Sequence, residues 1–348
     1  MSNDAIRAGV RLLCSFALWS LLPSQTTAAV SDRLSIGTRH SIASEVLSGQ
    51  REILISLPDR YETDREARYP VLYVLGASSH FLHSVAAARY LATSAKAMPD
   101  VIVVGVIHVD GGDELRPGFP VDGQSNAREA SFRQYLTAEL VPHIDSTYRT
   151  RSYRILMGHS LGGLFVLNTL RRSPDSFETY FAFSPALWWD NGGQATLIRE
   201  AYLSTSFRGQ SLVMTMANEL EDSRLPYLEM VEAFGNQPTR NLAVHARELP
   251  NETHITSAPV ALYWALQVVF SGWSPDAMVM RSGLPGLKEH YGTLSERFGW
   301  EIPIPLDSVM SLVFDFSRRA NLATMTRQAN SLNMHSHRAR PLRTTLWG

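Results

Sequence analysis

The stretch RILMGHSLGGLFVLNTLRR, residues 154–172, constrains this chain more than any other. An apolar run with the character of a strand, RILM, meets a helix-like run, LFVLNTLRR, across the residues Gly158, His159, Ser160, Leu161 and Gly162. GxSxG at a strand-to-helix junction is the pattern of a nucleophile elbow. So sharp a turn holds its serine in a strained backbone conformation, and glycines at 158 and 162 keep side chains out of the space where strand and helix crowd. The serine oxygen then projects out of the sheet. At the start of a helix, the backbone N–H of Leu161 points at a developing oxyanion. The competing reading is a glycine-rich bend whose serine only caps the helix.

An elbow needs a sheet around it, and the flanking sequence predicts one. RHSIASEVL and REILISLP alternate with a two-residue period around the turn-like SGQ, as an antiparallel pair does. YPVLYVL and DVIVVGVI are short continuous apolar runs, the mark of strands covered on both faces. FLHSVAAARYLATSAKAM and ASFRQYLTAELVPHI read as helices, and the alternation continues through TYFAFSP, TLIREAYLS, QSLVMTMA, PYLEMVEAF, NLAVHARELP and SAPVALYWALQVVF. A hairpin leading into alternating strands and helices predicts an α/β fold with a mostly parallel sheet of about eight strands, covered by helices on both faces. At 348 residues, 45% hydrophobic and 19% charged, the chain is long enough for one such domain plus an appendage. A net charge of -1 leaves no basic footprint, so nucleic acid is not an expected partner.

A serine hydroxyl is a poor nucleophile until a base takes its proton. Beyond the elbow stand His245, His254, His290, His335 and His337. His245 lies inside the strand NLAVHARELP, whereas His254 sits in the loop PNETHITSAP between the last strand and the next helix, where the base of this architecture belongs. The orienting acid should follow the penultimate strand, SLVMTMA, in the loop NELEDSR. Glu219 is the first choice there, with Glu221 next and Asp222 also available; Asp190 is an outside candidate, and a Ser-His pair with no acid is the remaining reading. For the second oxyanion donor, the turn GASSHF points to the backbone N–H of Ala77, with Gly76 giving room.

IASEVLSGQREILISLPDRY, RYPVLYVLGASSHF, LTAELVPHIDSTYRT, YRILMGHSLGG, FAFSPALWWDNG and the late histidine loop together resemble the esterase family of α/β hydrolases that holds esterase D and the enterobactin-type siderophore esterases. The resemblance covers roughly residues 33–272. It implies hydrolysis of a carboxylic ester by an acyl-enzyme route, with no metal and no organic cofactor, and a small-molecule ester as the partner. Relatives usually carry an Asp-Gly pair where this chain has Gly76 and Ala77. An acyltransferase of the same fold and a non-catalytic binding module are the alternatives.

Other features have two readings each. Trp188 and Trp189, after the strand TYFAFSP, either wall the substrate pocket or pack. His80 and His83 have a helical spacing open to metal, but no matching third ligand stands out, so a structural pair is expected. The long Gly- and Pro-containing loop from Asp110 to Ser125 suits a lid or specificity loop, and Arg116 and Arg128 beside it are read as solvated unless an anionic substrate meets them.

The two ends depart from the domain pattern. Residues 1–29 combine Arg7 and Arg11, the apolar run LLCSFALWSLL and the small-residue end PSQTTAA, which predicts a signal peptide cleaved near Ala28 or Ala29 and a periplasmic or secreted product. No stable membrane insertion is expected after cleavage, and the only cysteine, Cys14, leaves with that segment. Residues 30–273 form the expected esterase domain and 274–348 a helical extension with a basic, disordered tail. In the extension, LDSVMSLVFDFSRR and ATMTRQANSL are read as two helices split at Ala320, Asn321 and Leu322. Such a hairpin resembles the start of a tetratricopeptide array, and one pair cannot bury its own face, so it should dock on the hydrolase domain or on a partner protein.

Overall fold

Uninterrupted apolar strands build the centre of the sheet. YPVLYVL is buried at all seven positions, as are IVVGV and TYFAF at all five. The structure, a computed structural model, describes residues 35–108, 110–118, 127–236 and 241–336. The expected signal segment, most of the second half of the expected lid loop and the basic tail lie outside the described residues.

Among the described residues eight strands are present: β1 Thr38–Ser44, β2 Gly49–Ser56, β3 Tyr69–Leu75, β4 Ile102–Val106, β5 Thr150–His159, β6 Thr179–Phe183, β7 Gln210–Ala217 and β8 Leu242–Leu249. They form one sheet in the order β1-β2-β4-β3-β5-β6-β7-β8. β1 and β2 pair antiparallel, β2 meets β4 antiparallel, and every other pairing is parallel. The helices are α1 Ala77–Arg89, α2 Ala127–Gln134, α3 Val141–Thr147, α4 Leu161–Arg172, α5 Gly193–Ser204, α6 Glu221–Asn236, α7 Ser257–Val269, α8 Ala277–Arg281, α9 Gly283–Phe298 and α10 Leu306–Ser336.

Because successive side chains of a strand point to opposite faces, β3 feeds two cores. Val71, Tyr73 and Leu75 join one cluster with Leu136, Leu167, Tyr202 and Met230. Leu72 and Val74 join the other with Phe81 and Val85 of α1, Leu262 of α7, and Leu287, Tyr291, Leu294 and Phe298 of α9. Phe298 is the hub of an aromatic group, with ring centroids 5.4 Å from Phe270 and from Tyr153 and 5.2 Å from Trp300. α9 therefore shares the hydrolase core.

Three helical readings need correction. α1 starts at Ala77, ahead of Phe81, because Gly76 takes a left-handed conformation (φ 68°) from which the helix can begin, and it closes in a π turn, Tyr90–Ser94, before AKAM. A second π turn, Tyr135–Leu140, lies between α2 and α3. α10 is one continuous helix of 31 residues, so no break occurs at Ala320, Asn321 and Leu322. None of the three is Gly or Pro, Ala and Leu are strong helix formers, and one Asn costs under about 1 kcal/mol. Among the described residues the two runs therefore do not fold back on each other as a hairpin; α10 meets the second core through Leu312 and leaves Met310, Val313, Phe314 and Phe316 exposed. Among the described residues no helix is long and apolar enough to cross a membrane.

Candidate active site

The elbow is built around Ser160, which joins the end of β5 to the start of α4 at φ 58° and ψ -121°. A serine in this region is strained, and the surroundings must hold it there. Its N–H donates to Phe183 O at 3.0 Å, while its carbonyl accepts from Leu164 N and Ala186 N, both at 3.0 Å. A Cβ on Gly158 would lie 2.2 Å from Gly162 O, and one on Gly163 would lie 3.0 Å from Pro185 Cα and 3.1 Å from Phe183 O. At Gly162 the nearest atom would be Leu75 Cβ at 3.7 Å, an ordinary contact. The crowding expected at 158 and 162 falls at 158 and 163; Gly162 takes part through its backbone.

His254 follows β8 and precedes α7. Its Nδ1 lies 2.6 Å from Glu219 Oε1, with Glu219 reaching it from the loop after β7. A carboxylate only accepts, so Nδ1 carries a proton and donates it to Glu219. Asn218 N donates to Glu252 O at 2.9 Å and ties the two loops together. The Glu219 side chain is only 12% exposed and that of His254 34%, so the pair is shielded from competing water on its acid side. Glu221 instead opens α6, Asp222 accepts from Ser223 Oγ at 3.4 Å, and Asp190 is held at φ 57° beyond β6. Among the described residues Ser160 Oγ makes no hydrogen bond; such contacts often tighten only with substrate bound.

Ala77 is the first residue of α1 and Leu161 the first of α4. First-turn N–H groups have no intrahelical acceptor, and the helix dipole gives that end partial positive charge. Trp188 is exposed at the same edge of the sheet, while Trp189 is half-buried and engaged: its Nε1 donates to Pro117 O at 3.2 Å and the Arg116 guanidinium lies 5.5 Å over its ring. Arg116 also pairs with Asp113 at 2.7 Å, and Arg128 is exposed on α2. Trp189 thus fastens the segment after β4 to the segment after β6.

The motif histidine is a residue whose part could not be read from the pattern. His159 Nε2 lies 2.8 Å from the backbone oxygen of His254, and the two rings are 4.5 Å apart. His80 stands edge-on to His159 at 5.3 Å and is bonded to His83, Nδ1 to Nε2, at 3.0 Å. Burial, reinforced by the neighbouring histidines, pushes His80, His83 and His159 each down to about 4, so all three are neutral near pH 7. No group of three metal-ligating side chains gathers among the described residues.

An eight-stranded sheet in this order, with a serine elbow after β5, an acid after β7 and a histidine after β8, is the α/β-hydrolase fold. The family described as "Putative esterase" matches residues 44–246, more than half of the chain. The chain belongs to that family, and with it to the carboxylic ester hydrolases. It is similar to the ferri-bacillibactin esterase BesA of Bacillus subtilis strain 168, 28% identical over 228 residues that cover 58% of this chain and 78% of that protein. Among solved structures it is similar to an IroE-like serine hydrolase from Shewanella oneidensis, at TM-score 0.71 and 25% identity over 86% of this chain and 99% of the other. The siderophore hydrolase EstA of Aspergillus nidulans, at TM-score 0.58 and 18% identity over 70% and 99%, shares the fold.

Proposed function

We propose that this esterase works through an acyl-enzyme on Ser160, that its substrate is the ester backbone of a siderophore, and that the mature chain acts outside the cytoplasmic membrane. The observation that carries the mechanism is the Glu219–His254 hydrogen bond at 2.6 Å, which leaves Nε2 as the ring nitrogen that takes the serine proton, together with the strained backbone of Ser160 at the end of β5. Ser160 Oγ attacks the ester carbonyl as His254 Nε2 takes its proton, and Glu219 stabilises the imidazolium through Nδ1–H. The N–H groups of Leu161 and Ala77 receive the oxyanion. His254 then returns the proton to the leaving alcohol, and water repeats the sequence in reverse to free the enzyme.

The substrate reading is supported by the name of BesA, a ferri-bacillibactin esterase. Export is supported by the pattern of residues 1–29. A panel of ferric siderophore, feruloyl, acetyl-sugar and short-chain esters, with products identified by mass spectrometry, tests the substrate. The siderophore esters should lead in kcat/KM by at least about tenfold; preference for another class removes that assignment. Fractionation of expressing cells should find a chain that begins near Val30, and a full-length cytoplasmic product would contradict export.

A further inference from the structure

Topology sets a positioning problem. The base loop hangs from β8, an edge strand, and must return past β7 and β6 to reach the elbow at the end of β5. We infer that His159 solves it: resting on the proposed Ser160 mechanism, His159 is the positioning residue that clamps the backbone of the base against the strand bearing the nucleophile. A carbonyl oxygen only accepts, so His159 Nε2–H donates to His254 O at 2.8 Å, across 95 residues of sequence. That carbonyl takes a second hydrogen bond from Ser257 Oγ at 2.9 Å, at the head of α7. The His159 ring also packs on the His254 ring, 4.5 Å between centroids at 44°.

His159 is itself held in place. It is the last residue of β5, which pairs with strands on both sides, so its backbone sits on the rigid part of the sheet. His80 packs edge-on against it from α1, the helix that begins at the oxyanion turn, and His83 fixes His80 in turn. The groups around His159 are His80, His83, His254 and Glu219. One side chain thereby ties the nucleophile strand to the base loop, and its neighbour brings in the oxyanion helix.

Gln and Met are close in size and differ in the N–H that can reach the His254 carbonyl, so His159→Gln and His159→Met isolate the clamp, and His159→Phe keeps a ring without the donor. With p-nitrophenyl butyrate, the Met and Phe variants should lose about tenfold to a hundredfold in kcat with KM within about twofold, the scale of a small misplacement of a catalytic group. Labelling of Ser160 by a fluorophosphonate should slow in parallel. His159→Gln should recover most of that loss. Equal losses in Gln and Met, a rise in KM with kcat kept, or wild-type kcat in Met and Phe would each overturn the clamp. The Ser160→Ala variant separates the two ideas: if it is inactive while His159→Met keeps full kcat, the clamp alone fails, and if it hydrolyses at the wild-type rate the mechanism beneath it fails.

Discussion

Glu219 and His254, 35 residues apart, meet at 2.6 Å through Oε1 and Nδ1, and the carboxylate fixes which ring nitrogen holds the proton. A Gln at 219 would present an amide that can donate to Nδ1 and favour the wrong tautomer. We expect Glu219→Gln to lower kcat by about 10³- to 10⁴-fold. Glu221→Gln, altering a carboxylate at the start of α6, should change kcat by less than about twofold. Steady-state kinetics on both variants checks the ranking, and the reverse order would move the acid to Glu221.

The elbow makes a steric prediction that distinguishes its glycines. Gly158→Ala places a methyl 2.2 Å from Gly162 O, where only backbone could give way, so the variant should fail to fold or lose more than about 3 kcal/mol. Gly162→Ala meets nothing closer than 3.7 Å and should fold with unfolding free energy within about 1 kcal/mol of the parent. Urea unfolding of the two variants decides this; equal tolerance at 158 and 162 would contradict the described turn.

The histidine group makes stability depend on pH with a definite sign. His80, His83 and His159 are pushed down from 6.5 to about 4 in the folded chain, so between those values the unfolded chain binds more protons. Stability is therefore full above about pH 6.5, falls as pH drops towards 4, and takes no further loss from these groups below that. His83→Phe should flatten this slope in a Tm-against-pH series; an unchanged slope would remove His83 from the group that causes it.

Phe298 tests whether α9, in the C-terminal extension, belongs to the hydrolase core. Phe298 is 7% exposed, and its ring packs against Phe270 and Tyr153 of the hydrolase domain. Phe298→Ala should cost about 3–5 kcal/mol and leave a single cooperative transition in calorimetry. Loss of a separate, smaller transition instead would show that α9 folds apart.

Legibility in the sequence followed how local each signal is. Strand, turn and helix around Ser160 lie within twenty residues, so hydrophobic pattern and glycine placement expose the elbow directly. Chain order after β8 points to His254, whereas order after β7 only narrows the acid to a loop that offers Glu219, Glu221 and Asp222, because which carboxylate meets the ring is set by the loop's path and not by its sequence. The His159 contact was hidden, because a donor to a backbone carbonyl 95 residues away leaves no mark on composition or period. Gly163 was overlooked since its constraint comes from Pro185 and Phe183 on the neighbouring segment. The continuous α10 went the other way: the expected split at Ala320, Asn321 and Leu322 falls on two strong helix formers and one weak one, which a long helix tolerates.

Hydrolysis of p-nitrophenyl butyrate by the chain and by Ser160→Ala, at matched concentration, tests the central claim most directly. The account predicts a fall of about 10⁵-fold or more in kcat for Ser160→Ala, and no further fall when His254→Ala is added, because the two act as a unit. Equal rates for the parent and Ser160→Ala would contradict it.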